Sequence, residues 1–254
     1  MSLPLSIGAL RALIKEIGVS AQAGKPLVVG GARALAPTLR KELGVGDGGD
    51  VRGAAVYVHI WAGDGEDEAA LKRARRARTP IVAVAPPEVD DVPYVLASDG
   101  VRGRPGEGFP IAAIAKAVAG RLGEDGAPLA AQVPVLRRAV AEQLIASFAR
   151  KNGLVAAAVF IPGVDLPILA RNELRLLLRL YEGFGREAGP RERLPEIGVT
   201  VAAGFGLRAV ARELLDLVPF AGWAIKGAVA YAGTRALGEA ALRRLEVGAP
   251  RGHA

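Results

Sequence analysis

Cysteine is absent from this chain of 254 residues, methionine occurs once, and aromatic residues make up 5%. The missing cysteine excludes disulfide bonds, thiolate metal sites and cysteine nucleophiles, and it fits a reducing compartment. Few side chains are available to stack on bases, and no zinc-finger, RNP or helix-turn-helix pattern is found. We therefore expect no nucleic-acid partner.

Histidine is almost as scarce, since His59 and His253 are the only two. His59 lies inside an apolar strand candidate with no identifiable nucleophile partner, so a satisfied core histidine is favoured over a general base. The acidic run from Asp64 to Glu68 is typical of a helix N-terminus, with metal binding as the less favoured alternative. We predict no catalytic residue, no metal site, no cofactor and no enzymatic activity.

The N-terminal residues lack the charged start and the uninterrupted apolar core of a signal peptide. Arg11 and Lys15 interrupt the first apolar stretch, so no cleavable signal peptide is predicted and a cytoplasmic-side location is expected. Residues 1–24 are predicted to form a leading amphipathic helix, and residues 246–254 a disordered tail.

Positive charge is concentrated in the second half. Residues 1–128 hold 16 basic against 15 acidic side chains, and residues 129–254 hold 17 against 11, within a net charge of +7. The basic half is also the more apolar one. This combination suits an anionic membrane surface, although nucleic acid would be attracted by the same charge.

Residues 25–128 alternate short apolar runs with amphipathic stretches. This alternation predicts a small α/β domain with a parallel sheet covered on both faces. Strands are predicted at 26–29, 54–61, 81–84 and 94–97, and helices at 32–43, 66–78 and 111–122. The basic run from Lys72 to Arg78 is expected to be a solvated helix end, where the helix dipole favours cations.

The first strand-to-helix turn is compared with the phosphate loop, which needs Gly-x-x-x-x-Gly-Lys-[Ser/Thr]. Gly31 and Thr38 match the first glycine and the hydroxyl, whereas Ala36 and Pro37 replace the second glycine and the lysine. Proline also lacks the amide that a phosphate would need. Arg33 is the one nearby cation that stands in for the lysine.

The segment after the third predicted strand occupies the place of the guanine-specific Asn-Lys-x-Asp motif, and only Asp90 matches. In order and spacing the first half thus resembles a degenerate GTPase-type domain. A plain α/β sheet that never bound nucleotide is the simpler alternative. If residual nucleotide binding persists, it is expected to use Gly31, Arg33, Thr38 and Asp90.

After a predicted linker at 123–134, the pattern becomes helical through residues 129–245. An amphipathic helix at 135–151 is expected to stop at Asn152-Gly153, and the next to begin near Pro167. Arg171, Arg175 and Arg179 then recur at four-residue spacing, which places them on one helix face.

Proline and glycine break the apolar segments of this half. The breaks lie at Pro162, Gly163, Pro167, Pro219 and Gly222. Three motifs, at 161–167, 218–223 and 233–238, carry a resemblance over residues 154–245. This region resembles a bacterial helical domain of unknown function that is attached to GTP-binding domains and found in membrane-linked proteins. The resemblance implies a GTPase-like partner domain and no activity.

The apolar segments at 197–207 and 217–234 are too short or too interrupted for a simple span of a ~30 Å hydrocarbon core. Lys226 lies in the middle of the second segment. We predict a helical hairpin that dips into one leaflet, with a soluble bundle as the alternative. The expected membrane-facing residues are Arg171, Arg175, Arg179, Trp223 and Lys226.

The fold class expected is α/β plus all-α, a small parallel-sheet three-layer domain followed by a helical bundle or hairpin. The function expected is that of a non-enzymatic scaffold or regulator at the cytoplasmic face of the membrane. Its partners would be a membrane surface or membrane protein and a second protein on the α/β domain. A nucleotide-responsive switch and a soluble cytoplasmic interaction protein are the alternatives.

Overall fold

The computed structural model describes residues 24–47, 49–104, 106–158, 166–186 and 222–247. Within these ranges the chain forms two compact units, an α/β unit up to Gln143 and a helical unit from Leu144 onward. The strands are β1 (Leu27–Gly31), β2 (Val56–Ile60), β3 (Ile81–Ala85) and β4 (Gly100–Arg102). The helices are α1 (Ala36–Leu43), α2 (Gly65–Arg76), α3 (Ile111–Leu122), α4 (Ala127–Gln132), α5 (Arg137–Ala158), α6 (Leu166–Gly183) and α7 (Gly222–Val247). A mixed α/β architecture with a helical part is thus confirmed.

The sheet is parallel, and its four strands lie in the order β1-β2-β3-β4. Val28 pairs with Tyr57, and Val84 pairs with Val101. Every residue of β2 and β3 is buried, which explains why these strands are continuous apolar runs. Because each strand lies beside the next one in the chain, the order of the described strands never reverses.

The predicted strand at 94–97 is wrong. Tyr94 has a φ of 65°, which a β-strand cannot accommodate, and Leu96 is 61% exposed. A short 3₁₀ helix, Ala97–Asp99, follows, and the fourth strand is β4 instead. The predicted helix at 32–43 begins only at Ala36, because Pro37 fits the first turn of a helix.

The predicted linker at 123–134 is instead packed helix. A 3₁₀ helix at Gly123–Gly126 leads directly into α4, where Leu129 and Ala130 are fully buried. Pro128 is compatible with helix here because it lies in the first turn. The division between the units falls within α5, later than the predicted boundary at 128.

In the helical unit, α5 continues through Asn152-Gly153, so the predicted stop is wrong. Asn152 is fully buried and hydrogen-bonded, and Gly153 lies against the backbone of Gly227 in α7. Pro167 stands in the first turn of α6, as predicted. The core of this unit includes Leu176, Leu177, Leu180 and Leu245.

Several predicted features lie outside the described residues. These are the leading helix up to residue 23, the breaks at Pro162, Gly163 and Pro219, the apolar segment 197–207, and residues 248–254 of the tail. Gly222 is the first residue of α7 that is described, and Trp223 follows it. Among the helices described, none has both the length and the apolar character needed to cross a bilayer.

Candidate functional site

The α/β unit contains a cleft of about 440 Å³ at the carboxyl ends of β1 and β2. It is lined by Gly31, Arg33, Tyr57, His59, Ala62, Asp64, Glu66, Asp67, Ala70 and Arg73. The carboxyl edge of a parallel sheet is where α/β proteins usually bind ligands. The cleft is therefore the candidate ligand site of the α/β unit.

Three buried polar side chains form a hydrogen-bonded chain at the base of the cleft. Tyr57 and His59 are two residues apart in β2, so their side chains lie on the same face of the sheet. The Tyr57 hydroxyl lies 3.0 Å from Nδ1 of His59, and Nε2 of His59 lies 2.8 Å from Oδ1 of Asp67. Tyr57, His59 and Asp67 are 4%, 0% and 2% exposed, respectively. The predicted core histidine is thus confirmed.

The hydrogen bonds that Asp67 accepts determine which atoms donate and which accept between Tyr57, His59 and Asp67. Its carboxylate accepts backbone N–H groups at distances of 2.7 to 3.2 Å, from Ala62, Gly63 and Asp64. A carboxylate that accepts these bonds needs a donor from the imidazole, so Nε2–H of His59 donates to Asp67. Nδ1 then accepts the proton of the Tyr57 hydroxyl.

Burial shifts the pKa values of His59 and Tyr57 in opposite directions. Burial lowers the pKa of His59 below its ordinary value, against the hydrogen bond to Asp67, which raises it. Burial raises the pKa of Tyr57 to about 12, although the charge of Arg73 acts in the opposite direction. The phenol is therefore protonated, and both imidazole nitrogens are occupied. The arrangement joins β2 to the start of α2.

The acidic run caps a helix, as predicted. Asp64 is the N-cap of α2 and accepts the N–H of Glu66 at 2.9 Å, while Asp67 accepts the N–H of Asp64. Each bond satisfies an amide that the helix itself leaves unpaired. In the part of the chain that is described, no group of three acidic or histidine side chains is placed to hold a metal ion.

Three amides of the turn that was compared with a phosphate loop donate hydrogen bonds within the fold. The N–H of Ala32 donates to the carbonyl of Ile60 at 2.9 Å, and those of Leu35 and Ala36 donate to Ala32 at 3.0 Å. Pro37 follows and has no N–H to offer. A phosphate that used these three amides would have to displace bonds that the fold already makes.

Gly31 is required by packing between strands. Its φ is 96°, and a Cβ atom there would lie 2.0 Å from the carbonyl oxygen of Ile60. No other residue fits so close to a neighbouring backbone. A glycine at this position is therefore explained without a ligand.

The structure brings together only part of the predicted nucleotide set. Gly31 and Arg33 line the cleft, and Arg33 forms an ion pair with Glu66 at 2.8 Å. Thr38 and Asp90 are exposed and are not lining residues. The backbone carbonyl of Asp90 accepts a bond from the Arg102 guanidinium.

The arginines predicted to face a membrane differ in exposure along α6. Arg171 is exposed, whereas Arg175 and Arg179 are half-buried. Arg179 forms an ion pair with Glu182 at 3.0 Å. Lys226 in α7 is also half-buried. Of this set, Arg171 is the most accessible charge.

The exposed aliphatic side chains of the helical unit include Val247 and two others, which are here called the apolar pair. Leu154 near the end of α5 is 72% exposed, and Ile168 near the start of α6 is 45% exposed. Both lie at the helix ends that adjoin residues 159–165. Sequence reasoning missed them because exposure cannot be inferred from a short apolar run.

Sequence reasoning also missed a buried polar cluster between the helices of this unit. Nδ2 of Asn152 donates to Oγ1 of Thr234 at 2.9 Å, and Nδ2 of Asn172 donates to Oδ1 of Asn152 at 2.8 Å. Thr234 in turn donates to Oε1 of Glu173 at 3.2 Å. The Asn-Gly pair suggested only a turn, so no local signal pointed to this cluster.

Comparison of the chain with protein-family models, with curated proteins and with solved structures finds no match in any of the three. The geometry of the site is therefore the basis for a functional proposal.

Proposed function

We propose that this protein is a non-enzymatic docking protein at the cytoplasmic face of a membrane. In this proposal the α/β unit is a degenerate GTPase-like domain that presents a surface to another protein. The helical unit, which resembles a membrane-linked helical domain, engages the membrane. The observation that carries the proposal is that the amides of Ala32, Leu35 and Ala36 in this turn already donate within the fold, next to Pro37, which has no N–H.

The mutual pairing of the polar side chains in the cleft supports a docking role. Arg33 is held by Glu66, and the Tyr57, His59 and Asp67 side chains satisfy one another. The sheet order also lacks the reversal among its described strands that opens a ligand crevice in most nucleotide-binding α/β folds. A surface role requires none of these features.

Two properties of the helical half support membrane engagement. Its excess of basic residues would be attracted to anionic lipid, by about 1 kcal/mol for each Lys or Arg near the surface. The apolar pair, Leu154 and Ile168, adds exposed aliphatic surface. Burying a Leu or Ile side chain contributes about 1.5–3 kcal/mol.

Sedimentation of the full chain with phosphatidylcholine vesicles that contain phosphatidylglycerol tests the proposal. We expect the wild-type chain to bind and the double variant Leu154→Gln, Ile168→Gln to lose at least about tenfold in affinity. The matched control is Leu35→Gln, Leu96→Gln, which removes aliphatic side chains that are 48% and 61% exposed on the α/β unit. Wild-type protein that stays in the supernatant would favour the soluble interaction protein.

The nucleotide-responsive switch is the second candidate, because Gly31 and Arg33 do line a cleft at the carboxyl edge of the sheet. Equilibrium dialysis of the full chain with labelled GTP or ATP and Mg²⁺ distinguishes the two. Docking alone predicts no saturable binding. Saturable binding that is lost in Arg33→Gln, Thr38→Ala or Asp90→Ala would replace docking with the switch.

A further inference from the structure

The last turns of α2 carry a cluster of cations that the cleft does not use. The basic patch is defined here as Lys72, Arg75, Arg76 and Arg78, all of which are exposed. None of the four forms an ion pair with any residue that the structure describes. Arg75 makes a cation–π contact, with its guanidinium carbon 5.6 Å from the centre of the Tyr94 ring.

The topology places the basic patch at one edge of the sheet. Helix α2 leads from the carboxyl end of β2 to the amino end of β3, so its last turn lies at the amino edge. The hydroxyl of Thr79 donates to the carbonyl of Val51 at 2.6 Å. This bond brings the exposed Arg52 to the same edge and extends the positive surface.

The opposite edge of the sheet is acidic. The exposed carboxylates that follow β2 and β3 are those of Asp64, Glu66, Glu68, Glu88, Asp90 and Asp91. The α/β unit is therefore electrostatically polarised, although residues 1–128 as a whole carry a net charge near zero. Such a charge distribution orients a protein toward an anionic surface.

The helix dipole accounts for only part of this cluster. A cation in the last turn is favourable, but like charges at spacings of three and four residues repel one another. Lys72 has such neighbours in Arg75 and Arg76. Clustered cations without acidic partners thus oppose folding, and an external anion would relieve the repulsion.

We propose that the basic patch binds the phosphates of anionic phospholipid headgroups and forms a second membrane contact of the protein. Arginine donates two parallel hydrogen bonds to a phosphate, and three of the four residues are arginines. Lipid is favoured over nucleic acid because Tyr94, the aromatic ring that contacts the patch through Arg75, is already covered by that guanidinium. The inference rests on the proposed function for its location at a membrane.

The test compares two triple variants of the full chain that remove equal charge from the α/β unit. The patch variant is Lys72→Gln, Arg76→Gln, Arg78→Gln, and the control is Arg102→Gln, Arg104→Gln, Lys116→Gln. All six side chains are exposed, so both variants should fold, which far-UV circular dichroism verifies. Binding is measured by sedimentation with vesicles of phosphatidylcholine, with and without phosphatidylglycerol.

The patch variant is expected to lose about a hundredfold in affinity for the anionic vesicles, at about fivefold for each residue. The control should change it by less than about tenfold. For the wild type, raising the salt from about 0.1 M to about 1 M should reproduce the loss. Equal losses of affinity in the two variants would show that only the net charge of the protein matters, and would overturn the proposal.

Two further results would also overturn it. One is anionic-vesicle binding that the patch variant retains in full. The other is a patch variant that loses affinity for a labelled single-stranded RNA while its vesicle binding is intact. Failure here is distinguishable from failure of the proposed function, because the Leu154→Gln, Ile168→Gln variant tests the helical unit separately.

Discussion

Among single residues, Tyr57 and His59 contribute opposite pH dependences to the stability of the fold. Burial lowers the pKa of His59 from its ordinary 6.5. As the pH falls through 6.5 the unfolded chain therefore takes up a proton first, and the free energy of unfolding falls. The sign is opposite for Tyr57, whose pKa is raised to about 12 from 10.0. Its contribution is lost as the pH rises above 10.

Replacing Tyr57 by Phe separates these effects. The variant leaves Nδ1 of His59 buried without a donor, so we expect a loss of about 1–3 kcal/mol in the free energy of unfolding near neutral pH. It should also remove the part of the decline in stability above pH 10 that belongs to the buried phenol. Denaturant titrations monitored by circular dichroism, at neutral pH and at pH values up to about 11, measure both the loss of stability and the change in its pH dependence. The pH range brackets the ordinary tyrosine pKa of about 10.

Tyr94→Phe is the matched control for this prediction. Tyr94 is 37% exposed. Its hydroxyl donates to Oε1 of Glu68, another exposed residue, at 3.3 Å. Its loss should leave the free energy of unfolding within about 0.5 kcal/mol of wild type. If Tyr57→Phe behaved like Tyr94→Phe at every pH, the buried chain would contribute nothing.

At the scale of elements, sequence periodicity predicted what depends on local pattern. β2, β3 and α3 were found because continuous apolar runs and an amphipathic repeat are local signals. The strand at 94–97 was wrong since a short apolar run does not reveal the left-handed Tyr94. The stop at Asn152-Gly153 was wrong because tertiary partners, Thr234 and Asn172, satisfy Asn152 inside a helix.

The candidate site was predictable to a similar degree. Ala36 and Pro37 already weakened the phosphate-loop hypothesis, and the helix cap at Asp64 followed from the acidic run. The contact of His59 with Asp67 was not predictable, because it depends on how the turn after β2 folds back. Nor does sequence show that the amide of Ala32 is bound to Ile60 on the neighbouring strand.

The close approach of α5 and α7 gives a prediction at this scale. A Cβ atom at Gly227 would lie 2.9 Å from the backbone oxygen of Gly153 and 3.1 Å from Cβ of Ala157. Although Ala favours helix over Gly by about 1 kcal/mol, we expect Gly227→Ala to destabilise by about 1–3 kcal/mol because backbone must move. Chemical denaturation of the full chain measures the change.

Gly120→Ala is the matched control, and it is expected to raise the free energy of unfolding rather than lower it. Gly120 lies in α3, and nothing stands within 4 Å of a Cβ atom placed there. The helix-propensity gain is then unopposed, so this variant should be more stable by up to about 1 kcal/mol. Stabilisation of both variants would mean that α5 and α7 are not in close contact at Gly227.

At the scale of the whole molecule, the proposals place two kinds of membrane contact on one chain. The apolar pair in the helical unit would act by burial of aliphatic surface, and the basic patch in the α/β unit by charge. Burial is insensitive to salt, whereas attraction between exposed charges is screened as the Debye length shortens. The two contacts therefore respond differently to ionic strength.

Tethered contacts that engage one membrane reinforce each other, because the first to bind raises the effective concentration of the second. A chain that combines Leu154→Gln and Ile168→Gln with the three patch substitutions should thus bind anionic vesicles more weakly than either parent variant. Vesicle titrations at low and high salt measure this, and high salt should weaken the binding of the apolar-pair variant more than that of the patch variant. A combined variant no weaker than its weaker parent would show that only one of the two surfaces meets the membrane.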